Sequence, residues 1–417
     1  MLFNEGISFS YCTFNASTTS NMTNFNRISS IDIMRGITIF LMLFVNDLNM
    51  DKVPSWLGHM EANFDGMGLA DWVFPGFLFL VGMAIPFSLS KRLSAGEGVK
   101  DTGKHILKRF LALIIIGVLM LNSGRVNPEL TGIGRNLWAL LMYCGVFLVW
   151  NDYYDRENRY LTITGFRLAG IAILALLVLK FRSGHIENNG SLITGWWGIL
   201  GLIGWGYLVA AFTYLLFRES IVKTALVASL FLALNILTGL DVIHPSGVIN
   251  TAFGILIRGN NPLLVLTGLI AGLILKRTRE AGHLKTILVF FLLGAAFIGL
   301  GFLLRHWFII SKIKATPSWG LLCTGISFLV FTIIYFISDI RKLTGWASFL
   351  RPAGENSLTT YIAPDIVYYL IWMTGVPVLI YKQAPGALIN IAGSLVWSLL
   401  MLGLTAVLVR FSIRLRI

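Results

Sequence analysis

Apolar runs long enough to cross a lipid bilayer recur from Ile31 almost to the C-terminus, and no other feature constrains the fold as strongly. A helix rises 1.5 Å per residue, so about 20 apolar residues cover the roughly 30 Å of bilayer hydrocarbon. Twelve runs are read, at about 31–48, 69–90, 105–122, 133–151, 160–180, 195–217, 221–240, 255–276, 285–305, 317–338, 357–376 and 387–412. With 56% hydrophobic and 13% charged residues, a chain of 417 residues carries more apolar surface than one soluble core can hide. The expected class is all-α: a polytopic transmembrane helical bundle of about 12 helices, one domain over residues 31–417. Residues 1–30 are rich in Asn, Ser and Thr and lack the basic start and cleavage site of a signal peptide, so they read as a disordered lead. Met1 and Met22 are both candidate starts.

The net charge of +13 would suggest nucleic acid in a soluble protein, but the Lys and Arg residues sit in short loops and at helix ends. No nucleic-acid partner is expected. The pattern reports orientation instead. Lys91, Arg92, Lys100, Lys104 and Lys108 crowd one loop, whereas the alternate loops carry fewer cations, such as Lys52, Arg125, Arg135, Lys312 and Lys314. That asymmetry places both termini in the cytoplasm. Cys12, Cys144 and Cys323 are scattered and imply neither a disulfide framework nor a metal motif. The histidines have no ligand-like i, i+4 partner, so no metal is expected.

Ionisable groups in or beside a bilayer are costly, which makes them functional candidates, although structural pairs are the alternative. Asp32 and Arg35 stand three residues apart at the start of the first helix, where Ser or Asp is the expected cap. They read either as an interfacial ion pair or as part of a site. Asn46 ends that helix, His59 lies in the loop, and Asp71 opens the second helix. All three therefore reach one membrane face. Asp71 suits a helix start in any case, because a carboxylate there caps the backbone and meets the positive end of the helix dipole. Its functional reading is to hold one ring nitrogen of His59 and raise the basicity of the other. His59 alone reads as well as a solvated loop residue. Near the C-terminus Asn356 or Ser357 is an expected cap, followed by Tyr361, and Trp319 fits an interfacial anchor.

The string Arg27-Ile28-Ser29-Ser30-Ile31-Asp32-Ile33-Met34-Arg35-Gly36, then Val45-Asn46, His59 and Ala70-Asp71-Trp72-Val73-Phe74-Pro75, resembles heparan-α-glucosaminide N-acetyltransferase and its bacterial relatives. Pro317-Ser318-Trp319 and Gly354-Glu355-Asn356-Ser357 with Tyr361 match later segments of that family. The resemblance implies a transmembrane acetyltransferase that takes the acetyl group of cytosolic acetyl-CoA and delivers it to an amino sugar beyond the membrane. It maps the family's histidine onto His59 and its asparagine onto Asn46, with Asp71 orienting the ring. By their position at the cytosolic face, Arg35 with Asp32, and Lys108, Arg109 and Arg277, are the expected contacts for acetyl-CoA, with positive-inside charge as the alternative reading of these cations. Trp319, Asn356, Ser357 and Tyr361 complete that set. The implied partners are acetyl-CoA, a glucosamine-containing glycan or other amino sugar, the lipid bilayer and a second copy of the chain; the implied location is the bacterial inner membrane. Against the animal enzyme, the chain departs in lacking a large luminal N-terminal domain and in an extra hairpin near 160–217.

Two other classes remain. A secondary transporter of a small anionic or sugar substrate shares the twelve-helix layout, but it predicts an internal repeat and charges near mid-membrane. A non-catalytic scaffold predicts loss of His59 or Asn46.

Overall fold

The computed structural model describes residues 28–153, 160–184 and 190–417. The lead expected over 1–30 lies, up to residue 27, outside the described residues, as do both candidate starts and His185. Ser29 and Ser30 already belong to the first helix. The helices are α1 (Ser29–Asp47), α2 (Leu69–Ser94), α3 (Val99–Ser123), α4 (Pro128–Thr131), α5 (Arg135–Trp150), α6 (Tyr160–Lys180), α7 (Gly198–Phe217) and α8 (Ile221–Gly239). They continue with α9 (Gly247–Arg258), α10 (Asn260–Ala281), α11 (His283–Leu304), α12 (Pro317–Tyr335), α13 (Arg351–Glu355), α14 (Ser357–Thr374) and α15 (Ala387–Arg410). Among the described residues, β-structure is confined to two isolated bridges, Val126 with Ser183 and Asn151 with Leu415.

Ten stretches are long and apolar enough to cross a membrane, and the 16-residue α5 and 18-residue α14 fall at the other two expected positions. The bundle is a polytopic helical membrane protein. Three local expectations are corrected. The run expected at 255–276 is broken into α9 and α10 at Gly259, whose φ of 72° is left-handed. Pro262 just beyond has no N–H to give an uninterrupted helix, and glycine adopts the turn without the penalty a side chain would meet. The start of α1 is not capped by its own Ser or Asp. Asp339, in the π-turn that extends α12, accepts the N–H of Ser30 at 2.8 Å and of Ser29 at 3.3 Å. Likewise α14 has no side-chain cap, since Asn356 Nδ2 donates backwards to the Pro352 carbonyl at 3.1 Å.

At the centre α2 is buried on almost every side from Ala70 to Leu89, and it packs along α10. A Cβ built on Gly82 would overlap the carbonyl oxygen of Val265, and one on Gly268 that of Phe79. Lipid supplies little hydrophobic drive for helix pairing, so this close backbone approach contributes dispersion that larger residues would prevent. α1 lies against α2, α12 and α13, while α6, α8 and α11 are exposed over most of their length, as lipid-facing helices should be. The end of α1 is tied down by buried Asp47, which meets Lys382 Nζ at 2.7 Å, the Tyr381 hydroxyl at 2.6 Å and the Tyr368 hydroxyl. A buried carboxylate is tolerable only when so many donors replace its water.

Candidate active site

The bundle has a near end, where α1 begins, and a far end, where α1 finishes. At the far end Asp71 occupies the first turn of α2. Its Oδ2 accepts the N–H of Gly68 at 3.0 Å and of Met60 at 3.1 Å, which closes the helix start and pins the preceding loop. Its Oδ1 is thereby left for His59, whose Nδ1 is 2.8 Å away. The Asp71 side chain is 2% exposed and that of His59 41%, so a buried anion holds a ring open to solvent. With Asp71 ionised, Nδ1 carries the proton and donates it, leaving the lone pair on Nε2. The indole N–H of Trp319 donates to the Asp71 carbonyl oxygen at 3.1 Å, which fixes the turn from the side of α12.

A cavity of about 330 Å³ opens beside the ring, lined by Asn46, His59, Trp196, Asn261, Lys312 and Trp319 over an apolar floor that includes Met42, Phe74 and Ile199. The structure thus brings Asn46, His59 and Asp71 together at one end. Lys312, on the loop between α11 and α12, is the residue that sequence reasoning missed. Its Nζ lies 3.0 Å from His59 Nδ1 and 3.3 Å from the Ala70 carbonyl oxygen. Burial draws the Lys312 ammonium below the usual lysine range, and the nearby Asp71 charge opposes that fall. No spacing could have revealed it, because the contact spans 253 positions of sequence.

A second cavity, about 520 Å³, opens at the near end. Arg35, Arg92, His105, Arg109 and Arg416 line it with Asn356, Ser357 and Tyr361, and its inner part is apolar, with Ile39, Phe77, Val81 and Ile203. Met42 and Ile199 line both cavities, so the two approach one another across these side chains inside the bundle. Arg109 lies over the Tyr207 ring at 4.8 Å, and its buried Nε has no hydrogen-bond partner among the described residues. Arg35 Nη1 contacts Asp32 Oδ1 at 3.4 Å and the Gly354 carbonyl at 3.3 Å, so Asp32 steadies Arg35 rather than lining the cavity.

Of the other residues expected for acetyl-CoA, Lys108 and Arg277 are exposed and line neither cavity. One residue turns a helix by about 100°, which carries Lys108 off the face that Arg109 presents. Arg277 is spent on the Glu219 carbonyl at 2.6 Å. Trp319 belongs to the far cavity. His105 and Arg109 are four apart on α3, so their shared face was readable in the sequence; Arg92 and Arg416 gave no such signal. Among the described residues no cluster of metal-ligating side chains occurs.

Fold and site together define a polytopic helical membrane protein with a carboxylate-held histidine over a cavity that neighbours a basic one. Parts of the chain are similar to heparan-alpha-glucosaminide N-acetyltransferases. It is 36% identical to the mouse enzyme over 98 residues, which are 23% of this chain and 14% of that protein. To the human enzyme it is 30% identical over 169 residues, 40% of this chain and 22% of that protein. The matches thus span less than a quarter of either relative's length. A family model described as a domain of unknown function, DUF5009, matches residues 27–232.

Proposed function

We propose that the chain is a transmembrane acetyltransferase that takes the acetyl group of cytosolic acetyl-CoA and passes it to the amino group of an amino sugar at the outer face. The observation that carries this reading is the approach of the two cavities to one another at Met42 and Ile199, which line both, with four arginines at one end and the His59–Asp71 pair at the other. Eleven residues of α1 separate Arg35 from Asn46, about 16 Å at 1.5 Å per residue. That span suits a carrier with anionic phosphates and a long thin thioester arm. Arg35, Arg92, Arg109 and Arg416 would hold the phosphates, and Arg109 Nε, which has no partner among the described residues, would be one of the donors.

The apolar inner part of the near-end cavity would take the uncharged arm and bring the thioester to the far end. At the far end His59 Nε2 takes a proton from the acceptor ammonium. The freed amine then bonds to the thioester carbonyl carbon, the C–S bond breaks, and the sulfur leaves with a proton. In a two-step variant Nε2 of the neutral ring bonds to the thioester carbonyl carbon as the C–S bond breaks and the thiolate leaves; the neutral amine then bonds to that carbon, the C–Nε2 bond breaks, and the amine's surplus proton passes by way of the ring to the thiolate. Asn46 offers its amide N–H to the oxygen that becomes negative in either route. Asp71 holds the ring and its tautomer.

This reading puts the near end in the cytosol, the protein in a bacterial inner membrane, and a glucosamine-containing glycan among its acceptors, with a homodimer as its assembly. The test uses sealed vesicles of known orientation, radiolabelled acetyl-CoA supplied at one face and glucosamine at the other. N-acetylglucosamine should form only when acetyl-CoA meets the near end, and His59→Ala should abolish it. Transfer at the normal rate by His59→Ala would sink the assignment.

A further inference from the structure

Asp71 gives His59 an orientation but not a charge state. A carboxylate 2.8 Å from Nδ1 is met equally well by the neutral ring with its proton there and by the imidazolium, so the contact orients the ring without deciding its charge. An imidazolium has no lone pair, so it can neither take a proton from an acceptor nor attack a thioester. Lys312 bears on that choice. Its Nζ is 3.0 Å from Nδ1, 3.5 Å from Nε2 and 3.9 Å from Asp71 Oδ1. A second positive charge on the ring would meet that ammonium at contact distance.

We infer that Lys312 is a positioning residue for His59: its ammonium, held between Asp71 and the Ala70 carbonyl, keeps the imidazole uncharged while Asp71 keeps it oriented. The placement is built rather than incidental. The two residues before Lys312 are latched to the loop that carries His59: the Ile310 N–H donates to Asp65 Oδ1 at 2.8 Å, and the Ser311 hydroxyl donates to the Ala62 carbonyl at 2.9 Å. The Lys312 side chain is itself only 26% exposed, so its charge acts through little water.

Among the described residues, the charged groups at the ring are these two. Asn46, Trp196 and Asn261 share the cavity from α1, the 190–197 segment and α10 and do not titrate in the working range. From α12, the buried thiol of Cys323 meets the Asp71 backbone carbonyl at 3.8 Å. On His59's own loop Asp65 is engaged by Arg305 Nε at 2.9 Å and by Ile310, and Glu61 is exposed.

The inference rests on reading His59 as a base or nucleophile, and its test is kept apart from acetyl transfer. Diethyl pyrocarbonate modifies neutral imidazole, so the yield of carbethoxylated His59 peptide against pH, read by mass spectrometry on the full-length protein in detergent, reports when that ring is uncharged. In Lys312→Met and Lys312→Gln the midpoint should move up by about one pH unit, as expected for removing a like charge from a partly exposed site. Lys312→Arg should keep the wild-type midpoint. Lys312→Gln retains an N–H for the Ala70 carbonyl and serves if the methionine variant does not fold. Identical midpoints in wild type and in a folded, monodisperse Lys312→Gln would overturn the role. A shifted midpoint in a protein that transfers no acetyl group would sustain it and sink the acetyltransferase reading instead.

Discussion

Asp71 divides its carboxylate between its own helix and His59: Oδ2 closes the start of α2 on the Gly68 and Met60 N–H groups, and Oδ1 holds the ring at 2.8 Å. An asparagine could keep the first task with its carbonyl oxygen, but its NH₂ would face Nδ1. The ring would then carry its proton on Nε2, turned toward the cavity where a lone pair is needed. Asp71→Asn is therefore expected to lower kcat on the order of 10²- to 10⁴-fold, by analogy with wrong-tautomer variants of other histidine enzymes. KM for acetyl-CoA should stay near wild type, because the phosphates would sit at the other end. Steady-state kinetics in reconstituted vesicles measure both.

Asn46, in the last turn of α1, lines the cavity beside His59, and among the described residues no side chain hydrogen-bonds to its amide. If it donates to the thioester oxygen, Asn46→Ala should cost about 10²- to 10³-fold in kcat, the usual loss for one such donor. Asn46→Asp should be worse, since it sets an anion against a developing anion. A kcat for Asn46→Asp equal to that of the wild type would remove Asn46 from the mechanism.

Arg109 and its neighbour Lys108 allow a sharp comparison. Both are cations on α3, but Arg109 lines the near cavity over Tyr207 and Lys108 faces outward. A hydrogen bond to a charged group contributes about 1.5–3 kcal/mol, equivalent to roughly 10- to 100-fold in binding. Arg109→Ala should raise KM for acetyl-CoA within that range and leave kcat within about threefold. Lys108→Ala should leave both within about twofold. Equal effects from the two would mean that general positive charge, not the cavity, attracts the donor.

The membrane architecture was readable because hydropathy is a property of every run, and twelve runs survive errors of several residues at their ends. The break at Gly259 was hidden, since window averages see polarity and not a left-handed dihedral. The cap of α1 was hidden for another reason: Asp339 lies 309 positions from the Ser30 N–H it accepts. The site divided in the same way. His59 and Asp71 are twelve positions apart within one loop-and-helix unit, so their meeting could be argued locally. Lys312 stood among several loop cations that the charge pattern explained as orientation signals, and only the folded bundle singles it out. For Arg109 the signal was present and unused, as His105 stands one helical turn before it.

The latch that carries Lys312 should respond to pH in a defined direction. Asp65 accepts the Ile310 N–H at 2.8 Å and the Arg305 Nε–H at 2.9 Å, and these bonds hold its carboxyl below the usual carboxylate range. A carboxyl whose folded value is depressed contributes stability that is fully present above its unfolded value, about 3.9, and is lost as pH falls through the folded one. The 308–314 segment should thus stay protected from hydrogen exchange at neutral pH and loosen only below about pH 4. Asp65→Asn removes the anion at every pH, so the same segment should exchange faster at pH 7, with a small effect on global stability because the pair with Arg305 is solvent-exposed. Since Ile310 and Ser311 set the position of Lys312, the variant should also slow acetyl transfer while leaving KM for acetyl-CoA unchanged. Unaltered exchange of residues 308–314 in Asp65→Asn would show that the loop is held by the Ser311 contacts alone.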